Sequence, residues 1–178
     1  MKKVAIFFII LFSFFKISFS EVSVTNYNNW TVKTIYYEHN DNRSVAIYTT
    51  IDDALEVYIA SRKNQINITL SWFDHKVDES IPFLEYTFDN KKANVVEPAV
   101  RSSKQNFDIL YTISPSFGIT QEDEIVLFFK ELINSKTLTI KPNLDDKTYN
   151  VNLKGLKEAI SKTDFSKTLF DDYKNKVL

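Results

Sequence analysis

The sequence predicts a mainly β domain, an antiparallel β-sandwich or partly closed barrel with two or three packed helices. Short segments rich in β-branched and aromatic residues follow one another through most of the chain. The links between them are too short for the helical crossovers that parallel strands need. Apolar patterns with helical spacing occur only in the second half of the chain, after Thr120 and after Gly155.

Seven strands are predicted ahead of the first helix. The clearest is 65–72, where Ile66, Ile68, Leu70 and Trp72 alternate with polar residues, which indicates a strand that covers a core with one face. The polar turn 40–42 suits a hairpin between the first two strands. The predicted strands are 30–38, 43–51, 54–60, 65–72, 82–88, 93–98 and 107–113.

A helix is expected from Thr120, its N-cap, to about Asn134. Its apolar residues fall on a single stripe at helical spacing, namely Ile125, Phe128, Phe129, Leu132 and Ile133. Two further strands are predicted at 136–141 and 148–153.

Gly155 is one of only two glycines, and it lies where an alternating pattern gives way to a helical one. A residue without Cβ allows a close approach or an unusual φ at such a corner. A short helix is predicted to follow, packed through Leu156, Ala159 and Ile160. A last helix, about 163–176 and capped by Thr163 or Asp164, is expected to be peripheral because chain ends fray. Its apolar residues at spacings of four are Phe165, Leu169, Tyr173 and Val177.

The N-terminal segment 1–20 has the features of a secretory signal peptide. Lys2 and Lys3 precede an apolar run from Val4 to Phe15, which at about 1.5 Å per residue is too short to span a bilayer. Small residues at 18 and 20 place the cleavage site between Ser20 and Glu21. We expect residues 21–178 to form a single exported domain with no transmembrane segment; an uncleaved N-terminal anchor is the alternative.

The composition of the chain indicates the cellular compartment of the protein and the class of partner that it is expected to bind. The chain has no cysteine, which fits a bacterial periplasmic protein better than a disulfide-bonded eukaryotic one. Export to the periplasm is predicted, with release from the cell as the other destination. Removal of the three lysines of the signal changes the net charge from −1 to about −4, so we expect no attraction to nucleic acid.

Three segments, 28–34, 123–141 and 148–160, carry a resemblance to known proteins. The residues that match a motif are Trp30, Val32, Tyr149, Leu153, Gly155 and Ala159. In these segments the mature chain resembles the invasion-associated locus B family, small exported proteins of Gram-negative bacteria. Leu156 stands where the family has phenylalanine, and the cysteines of many members are missing. The resemblance implies export, a β-rich fold and a role at the cell envelope or host interface, with the motif residues structural.

Catalytic, cofactor and metal sites are not predicted. With no cysteine and two glycines, the chain lacks a cysteine nucleophile, a Gly-x-Ser-x-Gly elbow and a phosphate-binding loop. His39 lies in a polar turn and is interpreted as solvated. His75 has Asp74, Asp78 and Glu79 nearby but no His-x-x-x-His spacing and no cysteine partner, so no metal site is assigned.

Aromatic residues outside the expected core are the predicted partner-binding residues. Tyr36 and Tyr37 are adjacent, so they should point to opposite faces of a strand, with one of them exposed. Phe117 lies in the loop 114–120, beside Pro115 and Gly118. The predicted function is therefore a non-enzymatic binding or accessory protein that contacts a protein or another envelope component. A small periplasmic hydrolase with paired carboxylates, or a periplasmic inhibitor or immunity-type protein, is the alternative.

Overall fold

The computed structural model describes residues 20–73, 84–96, 99–100, 106–110, 122–142 and 147–178. Most of the predicted signal peptide, the loop that contains Phe117 and the segment around His75 lie outside these residues. Within them the predicted fold class is confirmed, because two antiparallel sheets and three helices pack together and neither sheet closes into a barrel.

The larger sheet has seven strands, in the spatial order β1-β2-β3-β4-β5-β9-β8. The first five follow one another along the chain as antiparallel hairpins. Their bounds, and those of the last two strands, are β1 Ser20–Tyr27, β2 Trp30–Tyr37, β3 Asn42–Ile51, β4 Leu55–Arg62, β5 Gln65–Trp72, β8 Ala99–Val100 and β9 Asn106–Leu110.

The smaller sheet has four strands in the order β11-β10-β6-β7. Its strands are β6 Leu84–Phe88, β7 Asn94–Val96, β10 Thr137–Pro142 and β11 Tyr149–Asn152. The helices are α1 Glu122–Asn134, α2 Leu156–Lys162 and α3 Asp171–Val177, and a 3₁₀ turn covers Glu38–Asn40.

Tight turns between the strands use Asn and Asp in the left-handed region. Asn28 has φ +54° in the β1–β2 turn, and Asp52 and Asp53 have φ +48° and +53° in the β3–β4 turn. Short polar side chains tolerate this conformation better than β-branched ones, so these turns are encoded locally.

The core lies between the two sheets and is completed by the helices. Trp30, Trp72, Phe129 and Phe170 are among the largest fully buried side chains. The Trp72 ring packs edge-to-face on the Tyr149 ring across the sheets, with centroids 6.1 Å apart. The alternation that predicted strand 65–72 is correct, because β5 has those bounds and Ile66, Ile68, Leu70 and Trp72 are all buried. No helix of the described residues is long and apolar enough to cross a membrane.

The last helix is shorter than predicted and does not begin near residue 163. Thr163 is the C-cap of α2, residues 163–170 form turns, and α3 begins at Asp171. The reason is tertiary hydrogen bonding: Leu169 N–H donates to Arg62 O at 2.8 Å, and Phe170 N–H donates to Ser61 Oγ at 3.1 Å. These contacts hold the segment against β4 in place of a continuous helix. Phe165, Leu169, Tyr173 and Val177 are nevertheless all buried, so the segment belongs to the core.

Candidate functional site

The residues of the motif come together where β2, β11 and α2 meet. The Trp30 side chain is fully buried, and its Nε1–H donates to the Asn152 carbonyl oxygen at 3.2 Å, which joins the two sheets. The other side chains of the motif are buried around it: Val32, Tyr149, Leu153 and Ala159.

Gly155 shows both properties that its position in the sequence led us to expect. Its φ is +95°, and a Cβ added there would lie 2.4 Å from Tyr27 O and 2.8 Å from Asn28 Nδ2. The absence of a side chain therefore lets the start of α2 lie directly on the β1–β2 turn. This contact positions α2 along the edge of the larger sheet.

An open cleft of about 400 Å³, called the edge groove below, lies beside the point where α2 ends. Its floor is the core-facing side of β1 and β2 at the edge of the larger sheet. Alternate residues of β1 and β2 form this floor because side chains of a strand alternate between faces. These floor residues are Glu21, Ser23, Thr25 and Tyr27 of β1 and Val32, Thr34 and Tyr36 of β2.

The register of the hairpin sets which floor residues are neighbours. Glu21 lies opposite Tyr36, and Ser23 lies opposite Thr34. Tyr36 in turn lies opposite Arg43 of β3. The wall of the groove is formed by Lys162, Thr163 and Asp164, at and just after the end of α2. Hydroxyl, aromatic and charged groups of both signs therefore face one cleft.

A cluster of charged and polar groups, called the ionic clasp below, shares Tyr36, Arg43 and Asp164 with the lining of the groove. Arg43 forms an ion pair with Asp164, and its Nη1 also donates to Ser166 Oγ at 2.9 Å. Lys167 forms an ion pair with Asp41, which also accepts a hydrogen bond of 2.6 Å from Tyr36 Oη. The clasp ties the segment after α2 to the β2–β3 turn.

The clasp lowers the pKa of both of its carboxyl groups. Hydrogen bonds from the Arg43 side chain and the Ser166 backbone N–H lower the pKa of Asp164 to about 2. Hydrogen bonds from Lys167 and Tyr36 lower the pKa of Asp41. The hydrogen bond to Asp41 raises the pKa of Tyr36. Both carboxylates are therefore held in the ionised form.

This arrangement is suited to binding and poorly suited to acid–base catalysis. A carboxylate pair needs one member with a raised pKa to act as general acid, and Asp164 in the groove is shifted the other way. Burial does raise the pKa of one carboxyl, that of Glu56, but Glu56 lies on the opposite face of the sheet. Among the described residues that line the groove there are hydroxyl groups but no histidine that could activate them. Within the described part of the chain, no group of three or more acidic, His or Cys residues could hold a metal ion.

The predicted partner-binding residues have different positions. Tyr36 lines the groove, whereas Tyr37 is on the other face of β2, where its ring packs edge-to-face on His39 with centroids 6.2 Å apart. The two tyrosines do point to opposite faces, but both are half-buried and neither is freely exposed, which corrects that expectation. His39 is exposed in its turn, as predicted. Phe117 lies outside the described residues.

Sequence reasoning missed β1 and the clasp. Ser20 and Glu21, which flank the predicted cleavage site, are the first two residues of β1. An alternation of Glu21, Ser23 and Thr25 with Val22 and Val24 was present and could have indicated this strand. The pairing of Arg43 with Asp164 joins residues 121 positions apart, and no local pattern announces it.

Comparison with known proteins gives no match: no family model, no curated protein and no solved structure matches the chain.

Proposed function

We propose that this protein is an exported, non-enzymatic binding or accessory protein of the bacterial envelope or host interface, of the kind that its resemblance to the invasion-associated locus B family implies. The observation that carries the proposal is the edge groove. It combines Glu21, Ser23, Thr25 and Tyr36 on its floor with the charged residues that follow α2.

The shape and lining of the groove favour an extended polypeptide as its occupant. Small-molecule pockets are concave and mostly apolar, with a few polar groups. The edge groove is instead open and runs along two adjacent strands, and most of its floor carries hydroxyl groups or a carboxylate. Alternating side chains of an extended segment could lie along such a floor, and both charge signs are available to orient it.

The hydrolase alternative receives less support from the same residues. A hydrolase of this kind needs a cleft with two facing carboxylates, one of which has a raised pKa. Here the carboxylates that share a cleft and the carboxyl with the raised pKa lie on opposite faces of the larger sheet. Glu21 and Asp164 share the groove, but Arg43 holds Asp164 ionised. Glu56 has the raised pKa but lies on the other face.

The position of β1 is compatible with the proposed export. Cleavage after Ser20 would remove one residue from β1 and leave Glu21–Tyr27 paired with β2. Ser20 and Glu21 are both exposed. Loss of the preceding segment would therefore not disturb the groove floor.

Binding is tested by capture with matched variants. The full chain is expressed in a Gram-negative host, and the accumulated protein is immobilised and exposed to solubilised envelope proteins. Thr25→Trp places an indole in the groove, whereas Thr50→Trp places the same group on an exposed position of the opposite face. We expect the parent and Thr50→Trp to capture a protein that Thr25→Trp does not capture. The same protein, once purified, should again bind the parent and Thr50→Trp but not Thr25→Trp. Equal capture by all three, or by none, would contradict a binding role for the groove; Phe117→Ala tests the loop independently.

Export is tested separately, by the mass of the accumulated protein. We expect a species that begins at Glu21 in the periplasmic fraction or the medium. Ile9→Asp, which interrupts the apolar run, should leave an unprocessed chain in the cytoplasm. A parent chain that keeps residues 1–20 would exclude cleavage at this site, whatever the result of the binding test.

A further inference from the structure

The free edge of β1 differs from the other sheet edges of the described residues. Each sheet ends in two outer strands, and three of these four are short: β8 has two residues, β7 three and β11 four. β1 has eight, and among the described residues it pairs with β2 alone. A long outer strand presents a row of unpaired N–H and C=O groups that can pair with another chain.

Three common protections of an outer strand, namely basic residues, proline and a β-bulge, are absent from β1. The segment Ser20–Tyr27 contains no lysine, arginine or proline. Its register with β2 runs without interruption through all eight pairs, so no bulge turns the edge away. Val22 and Val24 are 52% and 58% exposed on the face away from the groove. This edge is therefore in a suitable state for strand addition.

We propose that the occupant of this edge is a second copy of the same chain, whose β1 pairs antiparallel with the first across a two-fold axis at residue 23. In this register Val22 of each copy lies opposite Val24 of the other. Residues directly opposite each other in an antiparallel pair point to the same face of the sheet, and Val22 and Val24 are on one face of β1. The proposed pairing therefore places all four valines on the same face of the continuous sheet. The valine side chains thus cover one another on the outer face.

The symmetry of β1 about Ser23 favours a second copy over an unrelated strand. Glu21 is the only charged side chain of β1. In the proposed register it lies opposite Thr25, so no like charges face each other across the axis. The two exposed valines are also placed symmetrically about Ser23, which suits a two-fold axis and which a partner of different sequence would not need.

The dimer has a consequence for the edge groove. The floor residues of β1 lie on the same face in both copies, so the two grooves become neighbours across the axis. Glu21, Ser23 and Thr25 of both chains then form the floor of one trough, with the residues that follow α2 on either side. The dimer goes beyond the proposed binding function and does not depend on it.

A disulfide reports directly on the register, because the chain has no cysteine of its own. Tyr27 and Trp30 close the β1–β2 hairpin as a hydrogen-bonded pair, so every second residue of β1 from Tyr27 back to Ser23 bonds to β2. The N–H and C=O groups of Ser23 therefore point towards β2. Across the new edge, the two copies of residue 23 then form a non-hydrogen-bonded pair. Cα atoms of such a pair are about 4.5 Å apart, which a disulfide can span. Under mild oxidation we expect Ser23→Cys to form a disulfide-linked dimer, whereas Thr50→Cys, on an exposed residue of β3, should form no crosslink. A covalent dimer from Val24→Cys but not from Ser23→Cys would overturn this register.

Sedimentation equilibrium tests the interface without a crosslink. We expect the parent to be a dimer at micromolar concentration and Val24→Lys to dissociate at least about tenfold more readily, since lysine on an outer strand opposes pairing. Val95→Lys is the matched control, because Val95 is an exposed valine on β7, another outer strand. A monomeric parent, or a dimer that Val24→Lys does not weaken, would overturn the proposal. The dimer and the groove are tested separately: if Thr25→Trp loses capture of the partner but still sediments as a dimer, the groove binds the partner independently of dimerisation.

Discussion

The two ends of β2 are attached to the rest of the molecule in different ways. At its first residue, Trp30 is fully buried and hydrogen-bonded to β11, while the neighbouring turn lies against Gly155. Near its last residue, Tyr36 belongs to the ionic clasp, whose charged side chains other than Arg43 are exposed to solvent. The first attachment is made by close packing of neutral groups and the second by charges.

The difference indicates what each attachment contributes. Buried packing and buried hydrogen bonds are costly to lose because no water replaces them. Exposed ion pairs are screened and contribute little. We therefore expect the Trp30 end to stabilise the fold and the Tyr36 end to set the shape and charge of the groove. Substitutions at the Trp30 end should therefore lower the free energy of unfolding more than substitutions in the clasp.

The largest effect is expected from Gly155→Ala. The new Cβ would lie 2.4 Å from the backbone oxygen of Tyr27, at a φ that side chains other than glycine rarely adopt. Left-handed strain and overpacking together should lower the free energy of unfolding by about 2 to 5 kcal/mol, as measured by urea denaturation. Asn28→Gly added to this variant should restore little, because the nearest atom belongs to the backbone. Full recovery in the double variant would show that the Asn28 side chain limits the approach.

Trp30→Phe should have the next largest effect. It removes the hydrogen bond from Nε1 to Asn152 O and part of a fully buried ring. We expect a loss of about 1 to 3 kcal/mol in the free energy of unfolding, measured as above. A loss below that of Asp164→Asn would contradict the contrast between the two ends of β2.

Asp164→Asn should have a smaller effect that depends on pH. The folded pKa of about 2 is below the ordinary value of 3.8, so the ion pair stabilises the fold fully above pH 3.8 and loses its effect as the pH falls towards 2. Because the Asp164 side chain is 65% exposed, we expect about 1 kcal/mol or less at neutral pH. The difference between parent and variant should shrink below about pH 4.

Arg43→Met offers a check on that prediction, since it removes the same ion pair from the other side. Its difference from the parent should also shrink as the pH falls from about 4 to 2. A difference that persists at low pH for Asp164→Asn would show that the carboxylate charge is not what Asp164 contributes.

The smallest effect is expected at Lys167. Its ion pair with Asp41 is exposed, and its φ is +67°, a conformation that favours glycine. Lys167→Ala removes the ion pair and keeps the strain, whereas Lys167→Gly removes both. We therefore expect Lys167→Gly to be the more stable of the two and closer to the parent, in urea denaturation at low salt and again at about 1 M salt, where exposed pairs are screened. The reverse order would mean that the left-handed backbone here is not strained.

Much of the fold could be predicted because it is encoded in short stretches of sequence. Strand β5 has its predicted bounds, since its apolar residues alternate without exception and Trp72 closes the pattern. Helix α1 ends at Asn134, the residue where its apolar stripe ends. Gly155 was recognised at the change of period from two to helical spacing, and both of its expected properties are present.

The candidate site was much less predictable because its residues meet only in the folded chain. Tyr36 was selected as an exposed aromatic residue, but its hydroxyl group donates to Asp41 inside the clasp. Arg43 and Asp164 carried no signal, because their approach depends on how the segment after α2 crosses the larger sheet. No strand is predicted at the position of β1, although Glu21, Ser23 and Thr25 alternate with Val22 and Val24.

Local patterns in the chain encode the class of fold, the positions of β2 to β5 and α1, and the need for a glycine at residue 155. These features depend on side-chain periodicity and on the φ preferences of single residues, which act over a few positions. Tertiary contacts, in contrast, place Gly155 on the β1–β2 turn, take residues 163–170 out of the helical path and open a groove beside α2. Those features depend on contacts between residues more than 100 positions apart, such as Leu169 with Arg62 and Phe170 with Ser61. Such contacts override local spacing because buried hydrogen bonds and packing outweigh the small differences in local propensity.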